Sequence, residues 1–121
     1  MTQQSAARAG PEDLPVVDVD HLQGFTDGDR ALERELAELY LSSADLYLQR
    51  LQEALGDADG WRRHAHALKG ASANLGAREV AAMAANAEHG SPEADVLRRL
   101  AAAVDRVRAF FVSRSGRQSG R

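Results

Sequence analysis

From Leu32 onward the apolar residues of the chain recur at intervals set by a helix. Leu32, Leu36, Leu39, Tyr40, Leu46, Tyr47, Leu51 and Leu55 follow that spacing, which predicts one long helix with Thr26 or Asp27 as its N-cap and a stop near Gly56. Asp57 or Asp59 starts a second helix that runs to Gly76. A third stretch carries Val80, Met83, Ala84 and Ala87 on one face and closes at His89-Gly90. Ser91-Pro92-Glu93 opens a fourth, because Ser caps, Pro fits the first turn and the acid complements the helix dipole. Leu97, Leu100, Val104, Val107 and Phe111 then step by three, four, three and four, the seam of a helix packed along a neighbour. Ahead of all these, Val16 to Phe25 reads as a short first helix or arm, with Val19, Leu22 and Phe25 available to dock. No alternating strand pattern competes. The expectation is an all-α fold, an antiparallel four-helix bundle with a short N-terminal helix or arm.

The bundle is expected over residues 16–112. Residues 1–15 are polar and aperiodic and read as a disordered N-terminal segment, and residues 113–121, rich in Ser, Gly and Arg, as a disordered basic tail. At 121 residues there is room for one domain with a modest core. Hydrophobic residues make up 44% of the chain but aromatics only 5%, so the interior should be built from Ala, Leu and Val on closely approaching helices.

Charge and composition narrow the function classes. The first 112 residues carry twelve basic and eighteen acidic side chains, a balance of −6, which makes nucleic acid a poor electrostatic match. Cysteine is absent, which removes disulfide and thiol chemistry and fits a reducing compartment. MTQQSAARAGPEDLP has no apolar h-region, and no apolar run approaches the roughly 20 residues needed to span a bilayer. A soluble cytoplasmic protein without membrane contact is expected.

The chemistry concentrates in the second helix, in the run Ala65-His66-Ala67-Leu68-Lys69-Gly70-Ala71-Ser72-Ala73-Asn74-Leu75-Gly76-Ala77. With about 100° per residue and His66 set at zero, Trp61, Leu68, Ser72 and Leu75 fall at roughly 180° to 240° and define the buried face. His66 therefore points to solvent, while His64, at about 160°, lies at the edge of the core. Lys69 is the only lysine beside fourteen arginines, which suggests that a compact point charge is wanted next to His66. An interior helical glycine costs about 1 kcal/mol relative to alanine. Gly70 faces away from the core, so the absence of a side chain there reads as a way to keep the imidazole and its docking surface open. Gly76 reads as a C-cap.

Rival chemistries have little support. His64 and His66 are about 200° apart, whereas two metal ligands on one helical face need a separation of three or four residues. Ser72 lies on the buried side without a histidine and acid in triad arrangement, and no Gly-rich phosphate loop precedes a helix. An exposed imidazole with an ordinary value of about 6.5 is substantially neutral at physiological pH and has one ring nitrogen free to attack.

The pattern His-x-Leu-Lys-Gly-x-Ser-x-x-x-Gly-Ala closely resembles the signature of histidine-containing phosphotransfer domains. The resemblance extends over roughly residues 18–112, and its specificity lies in residues 65–77. It implies that His66 is phosphorylated, accepting a phosphoryl group from a receiver-domain phosphoaspartate and passing it to another receiver aspartate in a phosphorelay. Lys69 matches the motif and would balance the added negative charge. Arg62, one turn earlier and about 40° away, would add to the same field on geometry alone. Glu88 falls where family members often carry an acid after a bulky apolar residue, here replaced by Ala87. The partners implied are response-regulator receiver domains, a hybrid histidine kinase, or both. The receiver would bring the magnesium ion, so a monomeric carrier without cofactor or metal, and not an enzyme, is expected. The alternative is a non-catalytic helical adaptor that binds a receiver or histidine kinase domain to regulate it.

Overall fold

A computed structural model of the chain describes the backbone of residues 14–119 and the side chains of residues 14–115. All but the last two residues of the expected N-terminal segment therefore lie outside the described residues. Five helices follow in order: α1 (Val19–Thr26), α2 (Arg30–Glu53), α3 (Ala58–Leu75), α4 (Arg78–Glu88) and α5 (Ala94–Ser119). There is no strand among the described residues. Contacts run from α2 to α3, α3 to α4, α4 to α5 and α5 back to α2, with α1 laid on α2, so the fold is a helical bundle around a single core.

Aspartates set three of the helix starts. Asp18 accepts from His21 N–H at 3.1 Å, Asp29 from Leu32 N–H at 3.1 Å and Asp57 from Gly60 N–H at 3.1 Å. The cap of α2 is thus Asp29 and not Thr26 or Asp27. Thr26 is buried with its hydroxyl donating to Leu22 O at 3.1 Å, and Asp27 closes α1 in the left-handed conformation at φ 55°. Helix α2 ends at Glu53, three residues before the expected glycine stop. Gly76 does close α3, at φ 92°. Pro92 sits two residues ahead of α5, whose first turn forms when Leu97 N–H bonds Glu93 O at 3.1 Å.

The interior is mostly Ala, Leu and Val, with Tyr40, Trp61 and Phe111 as its aromatic members. The seam of α5 is buried as its spacing predicts, whereas α2 is rotated from the expected register. Leu39 and Leu46 are 65% and 45% exposed, and the buried stripe is Glu33, Ala37, Tyr40, Ala44 and Leu51. Small residues at 37 and 44 let α2 approach closely, and the 2.8 Å hydrogen bond between the Tyr40 hydroxyl and Ser72 Oγ fixes its rotation against α3. Burial pushes the Tyr40 phenol up to about 12, so it stays protonated for this contact. On α1, Leu22 docks and Phe25 is exposed.

Arginines on α5 fasten it to its neighbours. Arg106 holds the buried Glu79 of α4 at 3.0 and 2.7 Å, and Arg114 holds the buried Glu33 of α2 at 2.8 Å. The second pair lies within the stretch read from the sequence as a basic tail from residue 113. Helix α5 continues to Ser119, and Arg114 is anchored because Glu33, 2% exposed, requires a counter-charge. Trp61 Nε1–H donates to Ala87 O at 2.9 Å, tying the start of α3 to the last turn of α4. No helix among the described residues is long and apolar enough to cross a membrane.

Candidate functional site

Helix α3 presents alternating environments along the signature. Ala65, Leu68 and Ser72 are buried, His64 is half-buried, and His66 and Gly70 are exposed. The side chain of His66 is 66% exposed, as the helical geometry predicts. A β-carbon built on Gly70 meets nothing within 4 Å, His66 included. The open space at Gly70 is therefore not filled by the imidazole, and only a side chain longer than a methyl group would extend over it.

The imidazole is nevertheless held from one side. Glu88, the last residue of α4, is 13% exposed in its side chain and divides its two oxygens between neighbours on α3. Oε2 lies 2.8 Å from His66 Nδ1, and Oε1 lies 2.8 Å from Lys69 Nζ. Oε1 is buried, and the Lys69 ammonium is its ion-pair partner. The Lys69 ammonium holds the Glu88 carboxyl below the usual carboxylate range; burial opposes this, and His66 adds to it. The Trp61 bond to Ala87 O fixes the turn from which Glu88 projects.

This arrangement has a chemical consequence. An ionised carboxylate only accepts, so the contact to Nδ1 requires the proton of the neutral imidazole to sit on Nδ1. The lone pair is then on Nε2, the ring nitrogen away from Glu88, in a side chain that is 66% exposed. An imidazole held in this way can act as a nucleophile through Nε2, with Nδ1 turned to the protein.

Of the residues singled out in the sequence, the structure brings His66 and Lys69 together through Glu88. Arg62 is directed elsewhere, to Asp59 Oδ1 at 3.1 Å. In the sequence Glu88 stands out only as an acid that the resemblance marks, because its contacts depend on how the end of α4 lies against α3. A cavity of about 460 Å³ between α4 and α5 is lined by Met83, Ala87, Val96 and Ala102 among others, but by none of His66, Lys69 or Glu88. The imidazole is reached from the open surface.

The sequence model of the Hpt domain matches residues 35–110. The chain belongs to the Hpt domain family. The match spans most of α2, all of α3 and α4 and much of α5, so both His66 and Glu88 fall inside the Hpt domain. No curated protein and no solved structure matches the chain. Membership implies phosphotransfer in phosphorelay signalling, the class that the residues 65–77 already suggested.

Proposed function

We propose that this Hpt domain is a phosphoryl carrier in which His66 accepts a phosphoryl group from a receiver-domain phosphoaspartate and returns it to another receiver aspartate. The observation that carries the reading is the exposed imidazole held at Nδ1 by Glu88, which leaves Nε2 free toward a docked partner. In the forward step the Nε2 lone pair attacks phosphorus, the N–P bond forms, and the P–O bond to the aspartyl carboxyl breaks with its electrons returning to the carboxylate. The Nδ1 proton stays on the ring against Glu88. No proton has to be removed for the attack, so the chain needs no general base beyond this contact.

Lys69 would offset the charge that arrives with the phosphoryl group. Its ammonium lies 2.8 Å from Glu88 Oε1, on the same helix as His66 and one turn on, and would turn toward phosphoryl oxygens once they arrive. Gly70 keeps the adjoining surface clear for the receiver. Arg62, held by Asp59, contributes at most a diffuse positive field. The magnesium ion and the acidic cluster of the reaction are those of the receiver, and this chain binds as a carrier, not as an enzyme, with a cytoplasmic setting to match.

Incubation with a phosphorylated receiver tests this reading. Loss of label from the receiver with gain of acid-labile, alkali-stable phosphate on this chain is the expected result. A complex that forms without such transfer would make the protein a regulatory adaptor instead.

A further inference from the structure

A second concavity lies on the far side of α4 from the imidazole. Glu88 is five residues from Met83 and so about 140° round the helix from it, and Met83 lines the cavity of about 460 Å³ between α4 and α5. Packed interiors leave few voids larger than a water molecule. Small-molecule sites occupy about 300–1,000 Å³ and are often set between the helices of a bundle. The volume here is of the second kind. At one end Glu79 of α4 and Arg106 of α5 close it with contacts of 3.0 and 2.7 Å, and their charges cancel. At the other end the chain turns through Gly90 and Ser91 into α5. Between them Met83, Ala87, Val96 and Ala102 give an apolar lining, and the small side chains at 87 and 102 leave the space open.

Two further charges, of opposite sign, line the same cavity. Arg99 is 63% exposed, and its ion pair is the longer one, 3.5 Å, to an aspartate, Asp95, that Arg98 takes at 2.8 Å. Glu93, six residues earlier on the same strip of chain, is exposed, and its carboxylate has no cation beside it among the described residues. Side chains on a helix lean toward its N-terminus, so a guanidinium that leaves Asp95 can reach back toward the Glu93 end. A purely cationic guest would face Arg99, and a purely anionic one would face Glu93. A molecule with an apolar body and both charges at one end is complementary to all three features. Asn86 and Ser91 add neutral hydrogen-bonding groups to the lining.

We propose that the cavity between α4 and α5 is a second binding site, separate from phosphotransfer at His66, for an apolar α-amino acid. The amino-acid side chain lies against Met83, Ala87, Val96 and Ala102, its carboxylate meets Arg99 and its ammonium meets Glu93. No covalent bond is made or broken there. None of His66, Lys69 and Glu88 lines this volume, so the binding measurement stands or falls independently of the carrier reading.

Met83 is the only methionine besides Met1, so a labelled methionine methyl reports directly on the cavity wall. The full chain, labelled in this way, is titrated by NMR with L-phenylalanine, 3-phenylpropionate, phenethylamine and glycine. A saturable shift of the Met83 methyl with L-phenylalanine is expected, with Kd in about the millimolar range for a ligand of that size. 3-Phenylpropionate lacks the ammonium and phenethylamine the carboxylate, so each should bind at least about tenfold more weakly. Glycine, which has both charges and no apolar body, should leave the signal in place. Arg99→Gln should weaken phenylalanine about tenfold without weakening phenethylamine, and Glu93→Gln should weaken it about as much without weakening 3-phenylpropionate. Ala102→Trp, at an exposed position on the wall, should fill the apolar part and abolish binding in a folded bundle. Absence of a saturable shift with phenylalanine would overturn the proposal, as would equal binding of the three aromatic compounds. So would an affinity unchanged within about twofold in both Arg99→Gln and Glu93→Gln, or binding retained in Ala102→Trp.

Discussion

Substitution at Gly70 sets helix stability against access to the imidazole. The residue lies in the interior of α3, is exposed, and has open space around the position of a β-carbon. Gly70→Ala therefore meets no steric penalty and should recover most of the propensity difference, up to about 1 kcal/mol. For a domain of this size that is a rise in Tm of about 3–5 °C. Gln is only a few tenths of a kcal/mol below Ala in helix propensity, so Gly70→Gln should keep most of the gain. The two variants should diverge in transfer. The Ala methyl stays more than 4 Å from the His66 side chain, whereas Gln extends over the surface that a receiver must cover. Displacement of the reacting atoms by about 1 Å is enough to slow transfer about a hundredfold. Thermal unfolding and single-turnover transfer from a phosphorylated receiver, measured on the same preparations, give both quantities. A Gln variant that is less stable than the parent and transfers at the normal rate would refute the reasoning and make the glycine a packing residue.

Arg114→Ala removes the closer partner of the buried Glu33 and leaves it Arg30, 3.5 Å away and itself partly exposed. Losing one partner of a buried pair costs about 3–5 kcal/mol, and the remaining arginine should reduce this to about 2–3 kcal/mol in denaturant unfolding. A change under about 0.5 kcal/mol would show that the end of α5 does not help to hold the bundle. Gly76→Ala forces a left-handed backbone at φ 92° and brings a methyl group to 3.1 Å from His21 Cδ2 and 3.2 Å from Asp18 O, so a loss above about 1–2 kcal/mol is expected from Tm. The Arg78 guanidinium, bonded to Asp18 Oδ2 at 3.1 and 2.8 Å, holds the Asp18 carboxyl below its ordinary value. A depressed folded value stabilises above the unfolded one and is lost as pH falls through the folded value. Hydrogen exchange of α1 should therefore quicken in acid below the carboxylate range, and Arg78→Ala should remove that part of the pH dependence; an identical acid profile in the variant would count against the clasp.

What the sequence reveals of this protein is governed by the range of the interactions involved. The helical spacing in α3 and α5 is local, and it orients Trp61, Leu68 and His66 correctly without knowledge of any neighbour. In α2 the same spacing misleads, because counting leucines weights Leu39 and Leu46 above Ala37 and Ala44, while close helix approach selects the alanines. Glu33 and Glu79 look like surface residues until Arg114 and Arg106, 81 and 27 positions away, are brought beside them. Spacing alone places the cap of α2 two or three residues too early, because Thr26 and Asp27 are equally good capping residues, and only the burial of one and the left-handed turn at the other rule them out. The candidate site divides in the same way. His66, Lys69 and Gly70 lie on a single helix, and the bridge through Glu88 depends on where α4 ends.

The central claim concerns one nitrogen atom on one residue. Nitrogen and phosphorus NMR of the chain after exposure to a phosphorylated receiver, alongside His66→Gln and His64→Gln, identifies the atom that takes the phosphoryl group. The account predicts a single phosphorylated species at Nε2 of His66, with Nδ1 carrying the proton, no label in folded His66→Gln and normal label in His64→Gln. Phosphate at Nδ1 of His66, or label retained by His66→Gln, would contradict it.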